Sequence, residues 1–241
     1  MKRDAILVTG GTQRLGLALT QHFSSKNIQM IATWRTQKPA VDKLRCSGVD
    51  VVQCDFNSMQ DVRDLVAYIT DSYESLKAIV HNAGVWSVDD FSSAESADRL
   101  MQNLMRVHVT VPQILNNELH MLLSRSQSET ADIIHIGDYV SSRGSVKHIG
   151  YAASKAAQDS LTLSFAQKYA PKIKVNTIAP ALIEFNDTDS AEYKNRSVKK
   201  SLMERHGGSD ELIALVEYLM GSNYITGRVL PLDGGRHLKS A

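Results

Sequence analysis

The chain has 241 residues, 43% of them hydrophobic, and a formal net charge of +1. A chain of this length can bury one full core, and its balanced charge without a basic run argues against a nucleic-acid-binding protein. No apolar run is long enough to span a bilayer, and the N-terminus lacks the features of a signal peptide. The two cysteines and the histidines show no metal-ligand spacing. We therefore predict a soluble, cytoplasmic protein without a metal site.

Short apolar runs alternate with helical patterns along the whole chain. The predicted strands cover residues 5–8, 28–34, 49–54, 78–81, 133–136, 174–179 and 227–232. One helical pattern follows the first strand and its turn. Further helical patterns cover residues 58–73, 96–124, 151–170 and 210–220. Alternation of this kind predicts an α/β fold, a doubly wound parallel sheet of about seven strands with helices on both faces. Without repeats or a linker, the chain is expected to form one domain over residues 1–241.

A glycine-bearing turn, TGGTQRLG at residues 9–16, separates the first predicted strand from the first helix. A strand, a tight turn and a helix N-terminus together direct backbone N–H groups at a phosphate. The spacing differs from G-x-G-x-x-G, and a simple βα turn is the alternative. Its position at the start of the alternating pattern favours phosphate binding.

Candidate cofactor-binding residues follow the next three strands. Arg35 stands where a dinucleotide fold usually has an acidic residue for the ribose 2′-hydroxyl. An arginine suits a 2′-phosphate, so NADPH is favoured over NADH; the alternative is a solvent-facing loop arginine. Asp55 can accept a hydrogen bond near an adenine. Asn82, Ala83 and Gly84 are small enough to let a cofactor lie against the backbone.

Tyr151 and Lys155 are the candidate general acid and its neighbour. Four residues apart, they share one face of the predicted helix. A nearby ammonium favours the phenolate, so Lys155 is expected to lower the pKa of Tyr151 and make it a proton donor near neutral pH. A tyrosine and a lysine at this spacing also occur by chance on solvated helices, so the prediction depends on the other motifs.

The segment 182–208 is polar and charged, and we expect a mobile excursion over the active site rather than a second domain. It contains no dedicated cationic clamp. Trp86, just past the fourth strand, can stack on a flat ring, although an isolated tryptophan more often fills a core or an interface.

Together these motifs resemble the short-chain dehydrogenase/reductase family along nearly the whole chain. The motifs that carry the resemblance are the turn at 9–16, Asp55, Asn82-Ala83-Gly84, Tyr151 with Lys155, Asn176 with Pro180, and Asp-Gly-Gly at 233–235. The resemblance implies a Rossmann-type NADPH-binding domain and a homotetramer.

Three positions depart from the usual family pattern. Arg14 replaces the third glycine of the turn, and Asp138 replaces a catalytic serine thirteen residues before Tyr151. His108 replaces a helix asparagine that commonly completes the catalytic group. The first two departures are shared with the pteridine reductases of this family, which also place an aromatic residue at the position of Trp86.

The resemblance to pteridine reductases implies reduction of 7,8-dihydromonapterin by NADPH, with side activity on 7,8-dihydrofolate. Asp138 and Tyr151 would deliver the proton, and Lys155 would hold the nicotinamide ribose. The implied substrate-binding residues are Arg14, Trp86, Asp138 and Tyr151. The implied cofactor-binding residues are Gly10, Thr12, Gln13, Arg14, Leu15, Arg35, Asp55, Phe56, Asn82, Ala83, Gly84, Tyr151, Lys155, Pro180 and Leu182.

Three alternatives remain open. Asp138 can instead cap local N–H groups, a common use of aspartate in loops. The enzyme can reduce an ordinary ketone or sugar carbonyl, with Ser141 or Ser142 in place of the usual serine. The protein can bind NADPH without catalysis. Among pterins, the missing cationic clamp favours the small trihydroxypropyl tail over the aminobenzoyl-glutamate tail.

Overall fold

The structure, a computed structural model, describes residues 1–239. Seven strands form one sheet in the order β3-β2-β1-β4-β5-β6-β7, and every neighbouring pair is parallel. The strands are β1 Ala5–Val8, β2 Met30–Trp34, β3 Asp50–Gln53, β4 Leu76–His81, β5 Ala131–Ile136, β6 Ile173–Pro180 and β7 Val229–Leu232. The predicted doubly wound α/β fold is therefore confirmed; β1 has its predicted bounds, and the other six strands are present with shifted ends.

The α-helices connect these strands and cover both faces of the sheet. They are α1 Arg14–Ser25, α2 Pro39–Cys46, α3 Met59–Ser72, α4 Ala94–Met105, α5 Val111–Ser124, α6 Ile149–Tyr169, α7 Ala191–Val198 and α8 Ser209–Gly221. Short 3₁₀ turns cover Tyr139–Ser142 and Arg236–Leu238. No helix within residues 1–239 is both long and apolar enough to cross a membrane.

Alternate residues of each strand enter two separate cores, as expected for a sheet buried on both faces. In β1, Ala5 and Leu7 pack with residues of α3, α5 and α6. Ile6 and Val8 pack on the opposite face with residues of α1 and α8. The chain runs outward from β1 to β3 and then returns to β4, so the strand order reverses between β1 and β4. Ligands of doubly wound sheets bind beyond the carboxyl ends of the strands at such a reversal.

The helices differ from the prediction in three places. The predicted helix at 96–124 is divided by a π-helical turn, Arg106–Thr110, which the hydrophobic period does not reveal. Helix α2 was not predicted, although Pro39 at its first turn is a helix-start signal. Helix α7 lies within the segment 182–208, for which no helix was predicted; the mobility of that segment stays a prediction. Helix α3 is capped by Ser58, whose Oγ accepts from the Asp61 N–H at 3.2 Å.

A buried ion pair joins β5 to β6. Lys174 Nζ lies 2.8 Å from Asp132 Oδ1, and both side chains are at most 4% exposed. The same ammonium donates to the Leu219 carbonyl oxygen at 2.6 Å, which connects the pair to α8. Burial raises the pKa of Asp132 to about 6, although Lys174 opposes the shift.

Candidate active site

The glycine turn packs tightly against the start of α1. The Asn82 side-chain amide donates to the carbonyl oxygens of Thr9 and Gly10, at 3.1 Å each. A Cβ added to Gly16 would lie 2.2 Å from the Gly10 oxygen, so no larger residue fits there. Helix α1 has no side-chain cap, which leaves its first N–H groups available. This turn therefore fits a phosphate group, as the sequence predicts.

A cavity of about 240 Å³ lies at the carboxyl ends of β1 to β4, and we call it the nucleotide cavity. The predicted cofactor-binding residues that line it are Gly10, Thr12, Gln13, Arg35, Asp55, Phe56, Ala83 and Gly84. Thr36 and Lys38 also line it and were missed by sequence reasoning, since no motif marks them. The structure thus brings a backbone turn, a carboxylate and an arginine side chain to one cleft, and these groups fit an adenine dinucleotide.

The other predicted cofactor-binding residues lie outside this cavity. Asn82 holds the glycine turn through its side chain. Pro180 ends β6, and Leu182 lines a second cavity. Leu15 packs against the core on the α1 side of the sheet.

Arg14 connects the glycine turn to the segment 182–208. Its φ of +48° is in the left-handed region that favours glycine, the residue usually found at this position. Its guanidinium donates to the Glu184 carbonyl oxygen at 3.4 Å and to the Asn186 side chain. The predicted contact of Arg14 with both a cofactor phosphate and a pterin stays a prediction.

Asp138 and Tyr151 meet in the structure, as predicted. Tyr151 Oη donates to Asp138 Oδ2 at 2.9 Å, and the other carboxylate oxygen accepts from the Val140 N–H at 2.9 Å. The loop-capping alternative therefore describes one oxygen of Asp138, and the proton-delivery hypothesis concerns the other. Both uses of this carboxyl group are compatible.

The expectation that Lys155 lowers the pKa of Tyr151 is wrong in this structure. Burial, followed by the charge and hydrogen bond of Asp138, raises the pKa of Tyr151 above its ordinary value. Burial also raises the pKa of Asp138 and lowers the pKa of Lys155 to about 8. The Lys155 ammonium donates to the Ile136 carbonyl oxygen at 2.7 Å and to Gln158 Oε1 at 3.2 Å. Both members of the Asp138–Tyr151 pair are thus held toward their protonated forms.

A family model described as short chain dehydrogenase matches residues 4–197. The chain belongs to the short-chain dehydrogenase family. The family prediction made from the motifs is confirmed.

Named relatives show which members of the short-chain dehydrogenase family this chain resembles. The chain is 47% identical to "Dihydromonapterin reductase" of Shigella boydii serotype 4 (strain Sb227), over 97% of each chain. The protein of the same name from Escherichia coli (strain K12) gives the same identity and coverage.

Solved structures that are similar to this chain include complexes with NADP. One is "FolM Alternative dihydrofolate reductase 1 from Brucella canis complexed with NADP", with a TM-score of 0.86 and 27% identity over 99% of this chain and 95% of that chain. Another is the "Pseudomonas aeruginosa RhlG/NADP active-site complex", with a TM-score of 0.85 and 26% identity over 98% of this chain and 97% of that chain.

His108, at the position of the asparagine common in short-chain dehydrogenases, is fully buried in the π-helical turn. Its Nε2 accepts from the Val85 N–H at 3.2 Å, so Nδ1 carries the hydrogen and donates to Ser154 Oγ at 2.8 Å. Ser154 in turn donates to the Tyr151 carbonyl oxygen at 2.7 Å. Burial lowers the pKa of His108 to about 2. A neutral histidine with both nitrogens engaged holds the loop after β4 against α6, and Ser154 was missed because no motif marks it.

Trp86 extends from that loop and is 67% exposed. Its ring lies 4.4 Å from the His148 ring, centroid to centroid, outside the nucleotide cavity. Its contact with a pterin stays a prediction. The serines of the ketone alternative are not hydrogen-bonded to Tyr151 within residues 1–239, and Ser142 Oγ donates to the Tyr139 carbonyl oxygen at 3.3 Å.

Proposed function

We propose that this short-chain dehydrogenase family member is a pterin reductase that uses NADPH. Its substrate is 7,8-dihydromonapterin, and 7,8-dihydrofolate is reduced as a side activity. The observation that carries this proposal is the buried pair of Asp138 and Tyr151, 2.9 Å apart, where family members usually have a serine and a tyrosine. The 47% identity to proteins named dihydromonapterin reductase supports the same substrate.

The carboxyl group distinguishes this chemistry from carbonyl reduction. Both reductions add a hydride and a proton. In carbonyl reduction a neutral hydroxyl group steadies the developing alkoxide while it is protonated, whereas N5 of a dihydropterin can receive its proton from a carboxyl group relayed through a tyrosine. Burial raises the pKa values of both Asp138 and Tyr151, so the pair retains a proton for transfer near neutral pH. When bound, NADPH supplies the hydride for C6. The chain holds the ring in place and delivers the proton through Tyr151 and Asp138.

Four features of the chain would hold NADPH. The N–H groups at the start of α1 suit its pyrophosphate, and Arg35 suits its 2′-phosphate. Asp55 lines the same cavity and suits the adenine. Lys155 uses two of its three N–H donors on Ile136 and Gln158, which leaves one for the nicotinamide ribose.

We also infer that residues 1–241 form one NADPH-binding domain, of which residues 240–241 lie outside the described structure. The homotetramer and the cytoplasmic location stay predictions.

The test is loss of NADPH absorbance with 7,8-dihydromonapterin, beside 7,8-dihydrofolate and a panel of simple ketones. Asp138→Asn keeps an oxygen for the Val140 N–H but removes the transferable proton, so we expect kcat to fall by about 10²- to 10⁴-fold. Ser142→Ala is the control and should retain turnover. Full activity of Asp138→Asn would exclude the proton role, and turnover of ketones alone would establish the carbonyl alternative.

A further inference from the structure

A second cavity, of about 250 Å³, lies beside the carboxyl ends of β6 and β7. It is bounded by the segment 182–208, through Leu182 and Ser201, and by the loop after β7, through Gly234. None of its lining residues lines the nucleotide cavity. We call it the tail cavity.

Positive side chains without a salt-bridge partner lie in this cavity, beside it, and next to the adjoining part of the active site. Five such residues form what we call the cationic rim: Arg143, Lys147, Arg196, Lys200 and Arg236. None of them takes part in the salt bridges found within residues 1–239. Because the whole chain has a net charge of only +1, this positive charge is a local concentration.

Two members of the rim, Lys200 and Arg236, line the tail cavity itself. Partial burial, and then the charges of Arg236, Arg196 and Lys147, lower the pKa of Lys200, so these three cations lie close enough to Lys200 to repel its charge. The two acidic side chains of the cavity are engaged by other residues, and neither is among the charges that act on Lys200. The first, Glu211, lies 3.1 Å from Arg205, and the second, Asp233, lies 2.8 Å from the His237 ring nitrogen.

The rim adjoins the catalytic pair. Tyr139 directly follows Asp138, and its ring centroid lies 5.1 Å from the Arg236 guanidinium and 5.7 Å from the Arg143 guanidinium. The charge of Arg236 also reaches Asp138, where it opposes the rise in pKa that burial causes. A pterin ring bound against Asp138 and Tyr151 can therefore extend its side chain toward Arg236 and Lys200.

We propose that Lys200 and Arg236 bind the tail of those pterin substrates that carry a negative charge there, a carboxylate as in dihydrofolate or a phosphate group. This inference rests on the proposed function. An anion would relieve the repulsion among the rim cations, and guanidinium and ammonium groups form strong charge-assisted hydrogen bonds with both kinds of anion. A neutral trihydroxypropyl tail receives no such benefit. The sequence of the segment 182–208 does not reveal a cationic clamp, because Lys200 lies in that segment whereas the second cation, Arg236, lies beyond β7.

The kinetic test compares the wild type with the double variant Lys200→Gln and Arg236→Gln on three substrates: dihydromonapterin, its phosphate ester and dihydrofolate. We expect KM for the charged substrates to rise about tenfold, equivalent to about 1.4 kcal/mol, with the KM for dihydromonapterin within twofold. Any change in kcat should be the same for all three substrates, because Arg236 acts on Asp138 whatever the tail. A larger rise for the phosphate ester identifies phosphate as the preferred tail, and a larger rise for dihydrofolate identifies carboxylate. Lys199→Gln, an exposed neighbour outside the cavity, is the control.

A binding measurement separates failure of this site from failure of the proposed function. Calorimetric titration with p-aminobenzoylglutamate and with inorganic pyrophosphate needs no turnover. If pterins are not reduced but the double variant loses binding of either probe, the anion site stands and the proposed reaction falls. Equal KM changes for charged and neutral substrates, or unchanged KM values with unchanged probe binding, would overturn the site.

Discussion

Replacing Gly16 by alanine should disrupt cofactor binding through the backbone. The added Cβ would lie 2.2 Å from the Gly10 oxygen and 2.5 Å from Asn82 Nδ2, whereas real Cβ contacts essentially never fall below 3.0 Å. The turn must therefore open by at least 0.8 Å, the difference between 3.0 and 2.2 Å. Overpacking of this kind costs about 1–3 kcal/mol, and each Asn82 hydrogen bond that is lost costs about 0.5–1.5 kcal/mol more.

We therefore expect Gly16→Ala to lower the free energy of unfolding by about 2–4 kcal/mol and to raise the Kd for NADPH at least tenfold, about 1.4 kcal/mol. Urea denaturation and titration of NADPH fluorescence measure the two effects. The matched control is Gly221→Ala at the end of α8, where an added Cβ meets no heavy atom within 4 Å. Wild-type NADPH affinity in Gly16→Ala would refute the assignment of this turn as the phosphate site.

Three further predictions follow from single side chains. Arg35→Ser should raise KM for NADPH about tenfold and leave KM for NADH unchanged; equal use of both cofactors by the wild type would contradict this. The value of kcat/KM should fall as pH rises. Asp138 delivers a proton only while it is protonated, and Lys155 loses its positive charge near its pKa of about 8. A kcat/KM profile that is flat from about pH 5 to 9 would exclude this. Lys174→Met should destabilise the fold by about 3–5 kcal/mol in urea denaturation, because Asp132 is left buried without its partner, and a loss below about 1 kcal/mol would contradict this.

The strands and the glycine turn could be predicted because their signals are local. Each strand is a short apolar run next to a turn, and a sheet buried on both faces needs little else from its sequence. The pairing of Asp138 with Tyr151 was predicted from the family resemblance, since the residues occupy known positions relative to each other. The roles predicted for the individual site residues stay predictions.

The features that were missed depend on contacts between distant parts of the chain. Spacing placed a positive charge next to Tyr151, but it could not show that burial and Asp138 outweigh that charge. The π-helical turn that holds His108 has no sequence signal, because its hydrophobic residues keep an ordinary helical period. Arg236 follows the last strand, and only the folded sheet brings it beside Tyr139.

The two cavities have no lining residue in common, and this separation bears on how such an enzyme can diversify. We expect a substitution at Arg35 to alter the choice of coenzyme in one cleft, and a substitution at Lys200 to alter substrate binding in the other. Distant sites without shared partners contribute additively to free energy. Coenzyme preference and substrate range can therefore be inherited, exchanged or engineered as independent traits on this scaffold.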